Sequence, residues 1–533
     1  MIRKHITKEK LKFYLSGFGL LMVYNMLTFV FRKQMLFVDE ADNLLGGYMV
    51  SKGLLVYKDF YSQHTPLMYY LCGIFSFMGA HSVASFRVYF FFFLSLIWLF
   101  MFFRYSKYFG KFTMALFPFL YIFILGYTFL GNTIVSEQLQ SIALVVLFLE
   151  FLLFERTRDL KANNLIVISI SIFFAVGSAI VSAFPVFVIC VGVLTLELYW
   201  FFKLKLNFGK FIFNSIKRYI ILATVVALPF VIIIIIYASQ YLLSNAYYQI
   251  FTFNTDVYSK YNGYGTSVLK TLQMPIYMFS SFFEQVINNF SSPNIIDNIQ
   301  YFIDITANFL FVWLMFKRRK KIVGVISFIF ALMCGTRGYD NFHAIPYYAV
   351  TSMMIAILIF EIVYIPVKNN LCNNKNSRVL IAGASVILIA SSFFTNFHMN
   401  TKDGLFNDGP PTKIAGDILK ITEKDDKIYM DNLDIYMYLY TERLPASRIA
   451  SLVPWFADVY QQTVIEDLKQ SRPKIIVYTP ELDVWGRKAK DFEPDVQNYI
   501  KNNYTQLSQS DPGNIEWIRN DYIQQARQKL GIP

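Results

Sequence analysis

The stretch VDEADNLLGGYMVSKGLLVYKDFYSQHTPLMYY, residues 38–70, places three carboxylates, Asp39, Glu40 and Asp42, a few residues after an apolar run at 12–31. That run has the roughly 20 residues a helix needs to cross a hydrocarbon core of about 30 Å. Acids so close to a lipid-length helix either cap the next helix or line a site at the membrane surface. Which reading holds depends on the side of the membrane they occupy and on the polar groups that gather with them.

The composition is that of a multi-pass membrane protein. The 533 residues are 55% hydrophobic and 18% aromatic, with a mean hydropathy of +0.42. Only 16% are charged, against roughly 25% in a soluble domain. The four cysteines, Cys72, Cys190, Cys334 and Cys372, are scattered and lack the spacing of a disulfide framework or a zinc site. The net charge of +13 is no nucleic-acid signal. The excess of Lys and Arg lies before residue 400, where membrane topology uses it.

Apolar length predicts about eleven transmembrane helices, near 12–31, 83–103, 112–130, 136–154, 164–182, 184–202, 218–237, 299–316, 322–336, 345–366 and 379–397. Six short connecting segments, 3–12, 104–111, 156–161, 203–218, 317–321 and 368–378, carry basic clusters. The segments that alternate with them are longer and poorer in Lys and Arg. This bias places the N-terminus in the cytoplasm and the C-terminus outside, in a plasma (inner) membrane. No small-residue cleavage site follows the first span, so it reads as a retained anchor. Residues 1–400 thus form a transmembrane domain with two large outer loops, 32–82 and 238–298. Within the first, 66–80 is apolar but short, and is expected to lie as a helix at the outer interface. The second is rich in tyrosine (Tyr241, Tyr247, Tyr248, Tyr258, Tyr261, Tyr264). These are expected to form an interfacial belt rather than a sugar platform.

Residues 401–533 read differently. DKIYMDN and PKIIVYTP have the pattern of short buried strands, and helical patterns lie near 457–471 and 495–504. The alternation predicts a small α/β domain, extracytoplasmic by the topology above. It has no glycine-rich phosphate loop and no nucleophile elbow.

The same topology gathers polar groups at the outer mouths of the spans. Asp39, Glu40 and Asp42 are joined by Asp59, His64 and Arg87. Glu137 lies in GNTIVSEQLQ, and Arg337, Asp340 and His343 lie in TRGYDNFHAIP. Each also has a structural reading. Asp39 would N-cap a following helix, Glu137 would cap the fourth span, and Arg87 and His343 would anchor spans at the headgroups. Glu150 and Glu197 fall toward the inner ends and read as interfacial. Their collective position at one leaflet favours a site.

The first outer loop resembles that of the GT-C glycosyltransferases. The residues that carry the resemblance are Asp39–Glu40 after the first span, then Gly53, Tyr57, Asp59, Phe60, Tyr61, Pro66, Leu67 and Tyr69. Protein O-mannosyltransferases and lipid A aminoarabinose transferases are the nearest in pattern. Arg87 before the second span, Ser136–Glu137, and Arg337 with His343 and Pro346 extend the likeness, as does the C-terminal domain. Thr65–Pro66 stands where relatives often have two prolines.

The resemblance implies an enzyme that moves a sugar from a polyprenyl-phosphate donor to a hydroxyl acceptor at the outer face. Asp39 would be the general base, Glu40 would orient the loop, and Glu137 would be a second acid. Arg337 and His343 would hold the donor phosphate, with His64 and Arg87 behind them. Tyr57 and Asp59 would shape the loop. One displacement through an oxocarbenium-like transition state would invert the anomeric centre. Some relatives use a divalent ion, but no close His/Asp ligand spacing marks a metal site here. The competing classes are a flippase of lipid-linked sugars and a scaffold. A transporter should place polar groups at the midplane within two related halves, and neither feature is visible.

Overall fold

The structure is a computed structural model. It describes residues 8–32, 37–128, 133–205, 207–261, 273, 276–277, 280, 295–335, 342–364, 413–507 and 515–532. The expected span at 379–397, together with Arg337, Asp340, Tyr264 and Cys372, lies outside the described residues.

Helices occupy the ten other stretches expected to be spans. They are α1 (Lys8–Phe31), α4 (Val83–Phe109), α5 (Lys111–Thr128), α6 (Ser136–Thr157), α7 (Ala162–Ser178), α8 (Ala183–Leu204), α9 (Phe208–Ser239), α10 (Ile295–Lys317), α11 (Lys321–Met333) and α12 (Ile345–Leu358). Five described segments are long and apolar enough to cross a membrane: Val83–Phe109, Ser136–Thr157, Ile180–Leu204, Phe211–Ser239 and Ile345–Ile362. The helix Ala162–Ser178 is apolar but shorter, as is Lys321–Met333. Helix α9 explains itself only in lipid. Its apolar window is unburied, and Ile220, Leu228, Ile232 and Ile235 are all exposed. A patch of that extent is unstable in water.

The chain forms two compact units, one of 1–34, 90–236 and 267–405, the other of 35–89, 237–266 and 406–533. In the first, α6 is buried throughout its apolar length. Phe148 on α6 stacks on Phe330 of α11 at 5.7 Å and meets Phe311 of α10 at 5.9 Å. Four acids on these helices have partners among the described residues. Glu150 accepts from Arg104 and Tyr105 at 2.6 Å and from Asn164 at 2.8 Å. Glu197 pairs with Arg218, Glu155 with Lys320 and Glu361 with Arg318. Charges among apolar helices are tolerable because they are paired.

The second unit draws on three separated parts of the chain. Helices α2 (Val38–Ser51) and α3 (Leu67–Phe77) form a hairpin. The pair Gly46–Gly47 allows the close approach: a Cβ at Gly46 would meet the Tyr69 ring at 2.3 Å, and one at Gly47 would meet the Cys72 Cβ at 2.3 Å. Helix α3 falls where the interfacial helix was expected, and Ile74, Phe77 and Met78 at its end are exposed.

The C-terminal part holds a four-stranded sheet of β1 (Tyr429–Asp431), β2 (Ile475–Tyr478), β5 (Tyr504–Gln506) and β6 (Glu516–Arg519), in the order β1-β2-β6-β5. Strands β1 and β2 are parallel, with Met430 opposite Val477. The other pairs are antiparallel. Helices Pro454–Ser471 and Pro494–Asn503 match the two expected helical patterns. A small hairpin pairs β3 (Asp483–Val484) with β4 (Arg487–Lys488). Phe253, from the second outer loop, is 1% exposed in the same core as Tyr429, Val464, Ile476 and Tyr504.

Candidate functional site

Phe37, in extended conformation, is the N-cap of α2, and it makes no side-chain capping bond. Asp39 is therefore not the cap, as the capping reading expected. It stands with Glu40 in the first helical turn, where the helix dipole favours negative charge.

The three acids of the opening stretch have different environments. Glu40 is 0% exposed and paired with Arg87, also 0% exposed. The Arg87 Nε donates to Oε1 at 2.8 Å, and the second nitrogen reaches Oε2 at 2.5 Å. Tyr436 donates to the Phe37 carbonyl at 2.5 Å and to Glu40 Oε2 at 3.3 Å, and accepts from the Phe37 N–H at 2.7 Å. Asp42 accepts from the Tyr69 hydroxyl at 2.6 Å, and that hydroxyl also meets Ser62 Oγ at 2.6 Å. Asp39 is half-buried at the end of the helix, and its carbonyl accepts from the Asn43 side chain at 3.0 Å.

The loop residues build the floor around these acids. Tyr57 is buried at φ 69°, and its hydroxyl donates to the His64 carbonyl at 2.7 Å. Burial pushes the Tyr57 phenol well above its ordinary range. Asp59 accepts from the Leu55 N–H at 2.8 Å, so its carboxylate closes the turn. His64 is half-buried, and its backbone N–H donates to Ser62 Oγ at 3.0 Å. Gln249 ties the loop down from the 238–298 segment. Its oxygen accepts from the Ser62 N–H at 2.9 Å, and its nitrogen donates to the Tyr57 carbonyl at 3.2 Å.

In the other unit, Glu137 is 2% exposed in the first turn of α6, whose N-cap is Val135. Ser136 Oγ donates to it at 3.2 Å, and His343 Nε2 lies 3.7 Å from its Oε1. The structure therefore brings together Glu40 with Arg87, and Glu137 with His343. Arg87, expected behind the donor phosphate, has its guanidinium on Glu40. Tyr436 and Gln249 were not foreseen, because their contacts join segments far apart in the chain, and neither was Ser62, which carries no motif of its own. Among the described residues, no group of three or more His, Cys, Asp or Glu side chains could hold a metal ion.

The fold is similar to that of the archaeal oligosaccharyltransferase AglB from Archaeoglobus fulgidus, in complex with an inhibitory peptide and a dolichol-phosphate. That match has a TM-score of 0.51 and 12% identity, over 95% of this chain and 74% of that one. It is also similar to ArnT from Cupriavidus metallidurans. The apo structure matches with a TM-score of 0.56 and 11% identity over 94% of this chain and 98% of that one. The form bound to undecaprenyl phosphate matches with a TM-score of 0.54 and 11% identity over 95% and 97%. No protein-family model and no curated protein sequence matches the chain.

Proposed function

We propose that the chain is an integral-membrane glycosyltransferase that moves a sugar from a polyprenyl-phosphate donor to a hydroxyl acceptor, with inversion, at the outer face of the membrane. The single observation that carries this reading is the first turn of α2. It places half-buried Asp39 beside Glu40, which pairs with Arg87, and near Asp42, which accepts from Tyr69. The likeness in fold to AglB and ArnT supports it, since both of those structures include forms holding a polyprenyl-type phosphate.

In the proposed reaction Asp39 takes the acceptor's hydroxyl proton. The acceptor oxygen forms its bond to the anomeric carbon as the bond from that carbon to the phosphate oxygen breaks. The electron pair leaves with the lipid phosphate, which needs cations and donors rather than a strong acid. Arg337, His343 and His64 are proposed for that role. Arg87 would have to leave a buried ion pair to share it, so its proposed part is to hold Glu40 and thereby the α2 terminus. Glu137 is proposed to orient His343. The accompanying topology is about eleven spans, with a cytoplasmic N-terminus, a membrane domain of 1–400 and residues 401–533 outside.

The test is transfer from radiolabelled polyprenyl-phosphate sugars by membranes holding wild type or Asp39→Asn at matched levels. The expected result is acceptor labelling that falls by about 10²–10⁴-fold in the variant. Labelling that survives Asp39→Asn removes Asp39 as the base. Movement of the labelled lipid between leaflets without sugar transfer overturns the enzyme reading for a flippase.

A further inference from the structure

An exposed aromatic surface stands apart from the α2 terminus, within the second unit. Trp485 and Gly486 form the two-residue turn between β3 and β4, at φ 54° and 78°. Such turns favour Asn and Gly, and a bulky residue at positive φ is strained. The turn is held by the Gly486 N–H on Asp483 Oδ1 at 2.8 Å. The Trp485 side chain that the strain preserves is 58% exposed. Its ring lies 4.6 Å from Trp455, which meets Tyr258 at 5.3 Å and Tyr261 at 6.1 Å. The edge is polar. The Tyr261 hydroxyl donates to Asp458, and the Arg487 guanidinium lies over the Tyr261 ring at 5.1 Å.

We propose that this surface is a saccharide platform that takes a β-linked, gluco-configured pyranose chain. Such sugars carry their hydroxyls equatorially, so each ring has a flat C–H face suited to an indole and a hydroxyl edge suited to Asp458 and Arg487. The alternative is immersion in lipid, as the tyrosine-rich loop suggests on sequence. The surroundings argue against it. Asp458, Asp483 and Arg487 are exposed, as is Glu481, which Lys488 and Lys490 pair, and such charged side chains oppose immersion in hydrocarbon. Tyr258 and Tyr261 pack on Trp455 rather than projecting as a belt. Only the identification of this glycan as the acceptor rests on the proposed transferase reading; binding itself does not.

The test is saturation-transfer NMR of cellotetraose with the full-length protein in nanodiscs. Trp485→Ala is the main variant; the side chain is 58% exposed, so its removal leaves the buried core intact. Asp458→Asn is the second variant. The expected result is saturable binding, weakened at least tenfold by Trp485→Ala and measurably by Asp458→Asn. Absence of saturable binding to wild type overturns the proposal, as does binding unchanged in Trp485→Ala. Brominated lipids that quench the part of the fluorescence lost in Trp485→Phe also overturn it, in favour of the membrane. If wild type transfers sugar but does not bind cellotetraose, the platform falls alone. If it binds but transfers nothing, the platform stands and the transferase reading falls.

Discussion

Glu40→Gln and Asp39→Asn are one residue apart and should fail for different reasons. Glu40 and Arg87 are both fully buried and joined by two hydrogen bonds of 2.8 and 2.5 Å. Replacing Glu40 by Gln leaves a buried guanidinium without its counter-charge, at a cost of about 3–5 kcal/mol. Arg87→Met strands the Glu40 carboxylate at a similar cost. The double variant Glu40→Leu/Arg87→Met removes both charges at comparable volume and should recover most of the loss. Native-state hydrogen exchange of the α2 amides reads this directly, because a loss of about 4 kcal/mol raises the open population roughly a thousandfold. Each single variant should lose protection through Val38–Ser51, and the double should regain it. Asp39→Asn should lose transfer with α2 protection intact. Unchanged protection in Glu40→Gln, or a double variant no better than either single, refutes this account of the ion pair.

Three further outcomes follow from local geometry. Burial raises the Asp431 carboxyl from 3.8 to about 6, and burial with the Asp431 charge holds Glu493 well above its ordinary range. Raised carboxyls mean that the folded state binds more protons, so stability present at low pH is lost as pH rises through the folded values. Asp431 alone accounts for on the order of 3 kcal/mol between about pH 4 and 7. Thermal unfolding should therefore drop across this range in wild type and drop less in Glu493→Gln, and equal slopes would count against it. Gly47→Val should destabilise by about 1–3 kcal/mol or more, since its Cβ meets Cys72 backbone at 2.7 Å, while Gly19→Ala, with nothing within 4 Å, should be neutral or stabilising; thermal melts of the two compare them. Tyr436→Phe should cost about 1–2 kcal/mol and show as faster exchange in the first turn of α2.

The helices were legible because apolar length is a strong signal, and it led to helices at every expected span within the described residues. Strands β1 and β2 were legible as apolar runs between turns. Strands β5 and β6 were not, because YTQ and EWIR are short and mixed in polarity. Asp39, Glu40 and Glu137 could be picked out as acids at span ends. Their partners could not. Nothing in the sequence around Glu40 shows that Arg87 will neutralise it, or that Tyr436 will reach Phe37. Asp59 and Tyr57 read as loop residues and prove to be so by specific bonds to Leu55 and His64. Trp485 gave no signal, since a tryptophan before a glycine is unremarkable until the turn's φ is known.

The Tyr436 clamp on Phe37 joins residues 399 apart in the chain. At synthesis rates of about 5–20 residues per second, roughly 20–80 s separate the ribosome's passage over the two. Through that interval the first α2 turn lacks its hydroxyl tie and the Tyr61 N–H lacks the Arg448 carbonyl that receives it. The acid-bearing turn is thus finished late, by a segment synthesised after the apolar helices. A prematurely terminated chain would hold this turn without the Tyr436 tie, which arrives as a single late event rather than by degrees.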